Sequence, residues 1–147
     1  MQYKQSKFLI ETIVPKDELI VSRTDLKGNI TYANDTFTQI SGYEVDELIG
    51  KPHNCVRHPD MPKKVFEELW SSLEKNQSWS GVIKNLRKDK GFYWVHAQIN
   101  VVKKDGKIVE YKSIRTPISF KDKLKYQKLY DNIKKENNEK TRVVSYI

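Results

Sequence analysis

The spacing of apolar positions divides this chain into a hairpin, a helical middle and three closing strands. Residues 19–24 and 30–33 predict two short strands, and the turn-forming run DLKGN lies between them. Asn34 then begins a helix that Gly42 is placed to end, because glycine accepts the left-handed backbone found after helices. Residues 45–49 predict a second, shorter helix.

A stronger helix follows the polar segment HNCVRHPDMP. It is predicted to begin near Asp60 or Met61, with Pro62 in its first turn, where proline's missing backbone N–H is tolerated. Five residues at helical spacing form its buried stripe: Val65, Phe66, Leu69, Trp70 and Leu73. Three strands follow, over residues 79–87, 92–103 and 108–119, and the runs KDKG and KDGK supply their hairpin turns.

The middle one of these strands assigns its side chains to two faces, because successive residues of a strand point in opposite directions. The inward set is Tyr93, Val95, Ala97, Ile99 and Val101, and the outward set is Trp94, His96, Gln98 and Asn100. Ala97 is a small residue among large inward neighbours, which leaves volume for a bound ring system.

Amphipathic helices are predicted at both ends of the chain. Residues 1–14 place apolar side chains at mostly helical spacing before Pro15, which predicts a leader helix. The lysine-rich residues 121–140 predict an exit helix with an apolar side formed by Leu124, Tyr126, Leu129, Tyr130 and Ile133. The expected organisation is a leader over residues 1–16, one α+β domain over 17–120 and a C-terminal helix or linker over 121–147.

Composition limits the functions that the chain can serve. Its 147 residues suit one domain around one small molecule, and no apolar run approaches the roughly 18 residues of a membrane-spanning helix. The net charge of +8 comes from scattered lysines without a basic aromatic stripe, which indicates a solvated surface and no nucleic-acid partner. Cys55 is the single cysteine, and the start of the chain carries no export signal, so we expect a reducing, cytoplasmic location.

The phrase GNITYANDTFTQISGYEVDELIGKPHN, in this order of elements, resembles the PAS fold over about residues 17–120. The segments CVRHPDMPKKVFEELW, WSGVIKNLRKDKGFYWVHAQINVV and YKSIRTP resemble more narrowly the flavin-binding PAS domain of bacterial aerotaxis receptors. This resemblance implies FAD, a five-stranded antiparallel sheet with a helical flank, and signalling to a chemoreceptor-type partner. Aerotaxis receptors also carry a membrane anchor and a methyl-accepting signalling region, which these residues do not include.

A bound flavin needs an apolar slot, polar groups for its pyrimidine edge, and donors for any pyrophosphate. Asn85 shares a strand face with Ile83, so its amide is predicted to face the pocket, and related flavin-binding PAS domains use asparagine at the matching position. Arg57 and His58 precede a helix N-terminus, which favours an anion such as the FAD pyrophosphate. Asp60 has the wrong charge for phosphate and is assigned to ligand hydroxyls; for His58 and Asp60, shaping the loop is the alternative.

Five further side chains are candidates for the cofactor site, each with a structural alternative. Asn34 either contacts the ligand or caps a helix. Phe66 and Trp70 share a helical face from which aromatic rings either wall a flavin or pack in the core. Trp79 precedes two small residues that allow a ring to approach the backbone. Arg115, if its strand face points inward, favours an anionic reduced flavin; a salt bridge is the alternative.

Several other functions stay open at this point. Asn54 and Cys55 resemble the asparagine-cysteine pair of light-sensing LOV domains, although the following VRHP departs from that motif. A haem sensor would take an axial ligand from His53 or His58. A ligand-free PAS module would serve dimerisation or interaction alone. No nucleophile and base stand at a catalytic spacing, so the chain is not expected to be an enzyme.

Signal output requires a surface away from the ligand. The leader helix and the outer sheet face, with Trp94, His96 and Gln98, are the predicted surfaces for a homodimer or a signalling partner. No direct membrane insertion is expected.

Overall fold

The strands form one antiparallel sheet in the order β2-β1-β5-β4-β3. In this computed structural model, which describes residues 10–140, the strands are β1 (Ile20–Thr24), β2 (Ile30–Ala33), β3 (Trp79–Leu86), β4 (Phe92–Lys104) and β5 (Lys107–Thr116). The helices are α1 (Asp35–Ser41), α2 (Val45–Leu48), a short 3-10 turn (His53–Val56), α3 (Lys63–Glu74) and α4 (Phe120–Glu136). The predicted α+β class and the five-stranded antiparallel sheet are confirmed.

The β1–β2 hairpin forms where the DLKGN run predicts it. The Asp25 carboxylate accepts from the backbone N–H groups of Lys27 and Asn29, at 2.9 Å each, and so fixes the turn. Gly28 takes a φ of +87°, which a residue with a Cβ rarely adopts. The hairpin therefore follows from local turn chemistry.

Local signals also set the ends of the first helix and the last strand. Gly42 ends α1 at φ +78°, as predicted. Helix α3 begins at Lys63, with Pro62 as its N-cap, slightly later than expected. Strand β5 stops at Thr116, because Pro117 cannot continue the hydrogen-bond ladder, and Ser119 caps α4 instead.

The sheet has one face toward the first three helices and one face toward α4. The alternation predicted for β4 is confirmed at its inner residues, since Tyr93, Val95 and Ala97 are fully buried. On the outer face, Trp94 is also buried, because α4 packs over this part of the sheet. The Tyr130 hydroxyl of that helix donates to the carbonyl oxygen of Val82.

The orientation of α4 confirms part of the predicted apolar side, since Tyr126, Tyr130 and Ile133 pack against the core, and corrects the rest. Leu124 and Leu129 are exposed, whereas Gln127 and Lys134 are buried with Tyr130. The helix is turned this way because its polar residues find partners: Gln127 accepts from the Lys84 ammonium at 3.1 Å, and Lys134 donates to the Pro59 carbonyl oxygen at 3.2 Å. Hydrogen bonding at the contact therefore buries two polar residues that the apolar spacing did not predict.

The leader helix is not supported where the structure describes it. Residues 10–14 are not helical; they run beside the start of β4, where Thr12 N–H donates to Phe92 O at 2.8 Å. The rest of the predicted helix, residues 1–9, lies outside the described residues. Among residues 10–140, no helix is both long enough and apolar enough to cross a bilayer.

Candidate functional site

A cavity of about 370 Å³ lies between the inner sheet face and the helices α3 and His53–Val56. This volume falls within the roughly 300–1,000 Å³ of small-molecule sites. Its apolar walls come from Val56, Phe66, Leu69, Leu73, Ile83, Ala97 and Ile99. Its polar lining groups come from Thr24, His53, Asn54, Arg57, Asn85, Tyr111, Ser113 and Arg115. The cavity therefore combines an apolar slot with a few convergent polar groups.

Arg115 is the most unusual residue of this cavity, because its guanidinium is fully buried. The side chain donates through Nη2 to Ser22 Oγ at 2.8 Å and through Nη1 to His53 Nε2 at 2.9 Å. Its Cζ lies 4.4 Å from the centre of the Phe37 ring. Within residues 10–140 no carboxylate forms an ion pair with Arg115, and its Nε has no hydrogen-bond partner there.

The His53 imidazole accepts a hydrogen bond from Arg115 and stays neutral. A guanidinium can only donate, so His53 Nε2 must accept, which places the imidazole proton on Nδ1. Burial, with the nearby Arg115 charge, lowers the pKa of His53 to about 3. The ring stacks on Phe37 at a centroid distance of 5.7 Å. The pair thus carries a net positive charge at neutral pH.

Asn85 lies on the inner face of β3, as predicted, and is almost fully buried. It is directly opposite Tyr93 in the β3–β4 register. Burial raises the pKa of Tyr93 to about 12, despite the opposing charge of Arg115, so its phenol stays protonated. Amide, phenol and guanidinium are therefore grouped on the inner face of the sheet.

An outer cleft continues from this cavity. Asn54, Arg57, Phe66 and Trp70 line both spaces, and the cleft adds His58, Pro59, Met61, Lys63, Glu67 and Glu139. The Arg57 guanidinium lies 3.8 Å above the Phe66 ring, and burial lowers the pKa of Arg57 while Glu139 and Glu67 raise it. Trp70 is partly exposed at the rim, where its indole packs edge-on against Tyr111.

The structure separates His58 and Asp60 from the inner cavity. His58 borders only the outer cleft, where its Nδ1 accepts from the backbone N–H of Asp60 at 3.0 Å. Asp60 lines neither space; its carboxylate pairs with the Lys84 ammonium at 3.1 Å on the other face of the sheet. A ligand-hydroxyl role for Asp60 is therefore replaced by the structural alternative.

Asn34 and Trp79 also do not line the cavity. The Asn34 Oδ1 accepts from Phe37 N–H and Val21 N–H at 3.0 Å, and Nδ2 donates to Leu19 O at 2.8 Å. Helix capping and strand bridging thus use both acceptor positions of Oδ1 and one N–H of the amide. The ring that approaches the backbone at Gly81 is the Trp79 indole itself, since an added Cβ there would lie 2.6 Å from it.

Cys55 does not line the cavity, although its neighbours Asn54 and Val56 do. Burial raises the pKa of the Cys55 thiol, which disfavours a reactive thiolate. The light-driven cysteine chemistry of LOV domains therefore finds no support in this geometry.

Sequence reasoning weighed Arg115 only conditionally, considered His53 only as a haem ligand, and did not identify Ser22. The inward direction of the Arg115 face is now established, because β5 places Arg115 opposite Ala97. Ser22 of β1 is paired with Ser113 of β5, which is also on this face. Ser22 is a small polar residue in a strand of alternating apolar residues, and this was the signal in the sequence. It indicates a site only once the strand order is known, because the order places Ser22 beside β5.

The chain matches known proteins over most of the described residues. It is 47% identical over 119 residues to the aerotaxis receptor of Escherichia coli strain K12, covering 81% of this chain and 24% of that protein. It is 30% identical over 117 residues to the nitrogen fixation regulatory protein of Klebsiella pneumoniae, covering 79% and 24%. The chain therefore spans about a quarter of the length of these relatives.

Solved structures share the same architecture. A light-oxygen-voltage domain from a flavin-analogue study superposes with a TM-score of 0.63 at 26% identity, covering 83% of this chain and 87% of that one. The light-state Aureochrome1 LOV domain superposes with a TM-score of 0.66 at 23% identity, covering 81% and 91%, which concerns the fold alone. The family model described as the PAS fold matches residues 30–115. This chain belongs to the PAS fold family.

Proposed function

We propose that this chain is an FAD-binding redox sensor domain that reports to a chemotaxis-type signalling partner. The observation that carries the proposal is the buried Arg115 guanidinium, which faces an apolar-walled cavity and has no carboxylate ion-pair partner within residues 10–140. Burying a cation without an acid is unfavourable unless something else supplies negative charge. A ligand that gains negative charge on reduction supplies it.

The lining residues fit a flavin. Leu69, Leu73 and Ile83 offer flat apolar contact for a fused ring, and Ala97 leaves room at the sheet. The Asn85 amide can both donate and accept, as the pyrimidine edge of a flavin requires. A flavin, when bound, supplies reversible electron uptake.

The outer cleft favours FAD over FMN. Arg57, Lys63 and the N-terminus of α3 border this cleft, and together they suit the pyrophosphate of a dinucleotide. The cleft continues beyond the inner cavity along Pro59 and Met61, where an adenosine has space and apolar contact. A mononucleotide would leave this part of the surface unused.

The chain's own residues then perform three tasks. Asn85 orients the ring by its paired hydrogen bonds, and the apolar walls exclude water. Arg115 favours a negative charge on the neighbouring ring, because a fixed cation in a dry cavity acts through a low dielectric constant. His53 keeps that charge in place, since its neutral Nε2 accepts a hydrogen bond from Arg115 without competing for a ligand.

The signalling part of the proposal is supported by the relatives' names, which include an aerotaxis receptor and a nitrogen fixation regulator. The exposed outer-face residues His96 and Gln98 are the proposed contact with a partner or a second copy; Trp94 is excluded from it, because α4 buries it. The proposal includes a cytoplasmic location and no catalytic turnover by the protein itself.

The test is the visible absorption spectrum of gently purified protein, followed by chromatography of the released chromophore. We expect two flavin bands, released FAD, and bleaching by dithionite rather than by light. A Soret band would indicate haem instead of a flavin. A colourless protein that does not bind added FAD would indicate a ligand-free interaction module.

Asn85→Leu is expected to weaken FAD binding roughly tenfold or more, because it leaves the ring's polar edge without partners. Asn100→Leu is the matched control, since Asn100 lies on the outer face of β4 and does not line the cavity. Fluorescence titration of the flavin-free proteins measures both. Equal losses in the two variants would contradict the role given to Asn85.

A further inference from the structure

The N-terminus of α3 is already occupied by a carboxylate of the chain. The backbone N–H of Lys63, the first residue of this helix, donates to Glu139 Oε1 at 3.2 Å. Helix α3 has twelve residues, and its N-cap, Pro62, supplies no side-chain cap. The N–H groups of the first turn and the helix dipole favour an anion at this end, and the Glu139 carboxylate lies there.

Glu139 also borders the outer cleft that a pyrophosphate would enter. It lines this cleft together with Arg57 and Lys63, and its charge raises the pKa of Arg57 against the effect of burial. The same carboxylate therefore interacts with two of the positive features of the cleft, the helix end and the Arg57 guanidinium. A phosphate group seeking those features meets a negative charge already in place.

The Glu139 contact completes the docking of α4 on the rest of the domain. Its own backbone N–H donates to Lys134 O at 2.8 Å, which ties it to the end of the helix. Lys134 in turn donates to Pro59 O at 3.2 Å, beside the loop that carries Arg57. One turn of chain thus joins the C-terminal helix to the cleft.

We propose that Glu139 competes with the phosphates of the ligand for the N-terminus of α3, so that a phosphate-bearing ligand loosens the end of α4. This inference rests on the proposed FAD binding and deepens it. A flavin without phosphates leaves Glu139 in place, whereas FAD displaces it by charge repulsion and by occupying the same N–H group. The order at the end of α4 therefore depends on whether the ligand carries phosphates.

The first test compares affinities for FAD and riboflavin. Glu139→Gln keeps a hydrogen-bond acceptor but removes the charge, so it is expected to tighten FAD binding roughly threefold to tenfold and to leave riboflavin unchanged. Glu136→Gln is the matched control, because Glu136 is exposed on the last turn of the same helix. It is expected to change neither affinity.

The second test follows amide hydrogen exchange in residues 130–136 of α4. Saturating FAD is expected to speed exchange there, riboflavin is not, and Glu139→Gln is expected to speed it before any ligand is added. Slower exchange with FAD, or an unchanged ratio of FAD to riboflavin affinity in Glu139→Gln, overturns the competition while flavin binding stands. A protein that binds neither flavin overturns both proposals.

Discussion

Among residues 10–140, two of the buried cations belong to the sheet, one on each of its faces, and their surroundings differ. Lys84, on the outer face, pairs with the Asp60 carboxylate at 3.1 Å and donates to Gln127 at 3.1 Å beneath α4. Arg115, on the inner face, donates within residues 10–140 only to the neutral acceptors Ser22 and His53. The first cation is compensated within the fold, and the second faces a cavity.

This difference separates a structural cation from a functional one. Desolvating a charge is expensive in either place, and a carboxylate partner offsets much of that expense. Because Arg115 has no carboxylate partner within residues 10–140, the proposed ligand would supply the negative charge that the fold does not. Burial lowers the pKa of Arg115 to about 10, which still leaves it charged at neutral pH.

The largest expected effect comes from removing the compensated cation. Lys84→Met leaves the partly buried Asp60 carboxylate without its ammonium, so we expect the free energy of unfolding to fall by about 3 kcal/mol. Chemical denaturation at pH 7 measures it. Lys88→Met is the control, because the Lys88–Glu47 pair is exposed and its loss should cost much less stability.

A double substitution separates charge from packing at the same place. Asp60→Asn with Lys84→Met removes both charges, and we expect it to recover a large part of the stability lost in Lys84→Met alone. If the double variant is as unstable as the sum of the two single variants, Lys84 acts through packing on Phe92 and Trp94 instead.

The two faces of the sheet also differ in how much of their structure could be predicted from the sequence. Periodicity and turn residues predicted the five strands, the inward set of β4 and the pocket position of Asn85, because these depend on local spacing. The Asp60–Lys84 pair was not predictable in this way. It joins a loop to a strand 24 positions later, and it depends on Gln127 of α4 covering Lys84. The apolar spacing of that helix does not predict that Gln127 is buried.

A smaller effect is expected at the uncompensated cation, Arg115. Arg115→Met removes the positive charge beside the proposed flavin, so we expect the one-electron reduction potential to fall by about 60 mV, a tenfold change in the equilibrium constant. A redox titration followed by visible absorption measures it. Arg115→Lys keeps a positive charge, so its reduction potential is expected to lie between those of the wild type and Arg115→Met. Equal potentials in all three proteins would contradict an electrostatic role for Arg115.

The smallest expected effect is the acid sensitivity of the inner face. Burial, with the Arg115 charge, lowers the pKa of His53 to about 3 in the folded protein, against 6.5 ordinarily. The unfolded chain therefore takes up this proton first, so the stability is complete above pH 6.5 and is lost as the pH falls toward 3. Between pH 6.5 and 5.5 the loss is about 1 kcal/mol. His53→Gln cannot titrate, so the wild type should lose that much more stability than the variant over this interval in parallel denaturation curves. Equal losses of stability in the two proteins would mean that burial beside Arg115 does not hold His53 neutral. The charge environments of the inner and outer faces would then differ less than the geometry indicates.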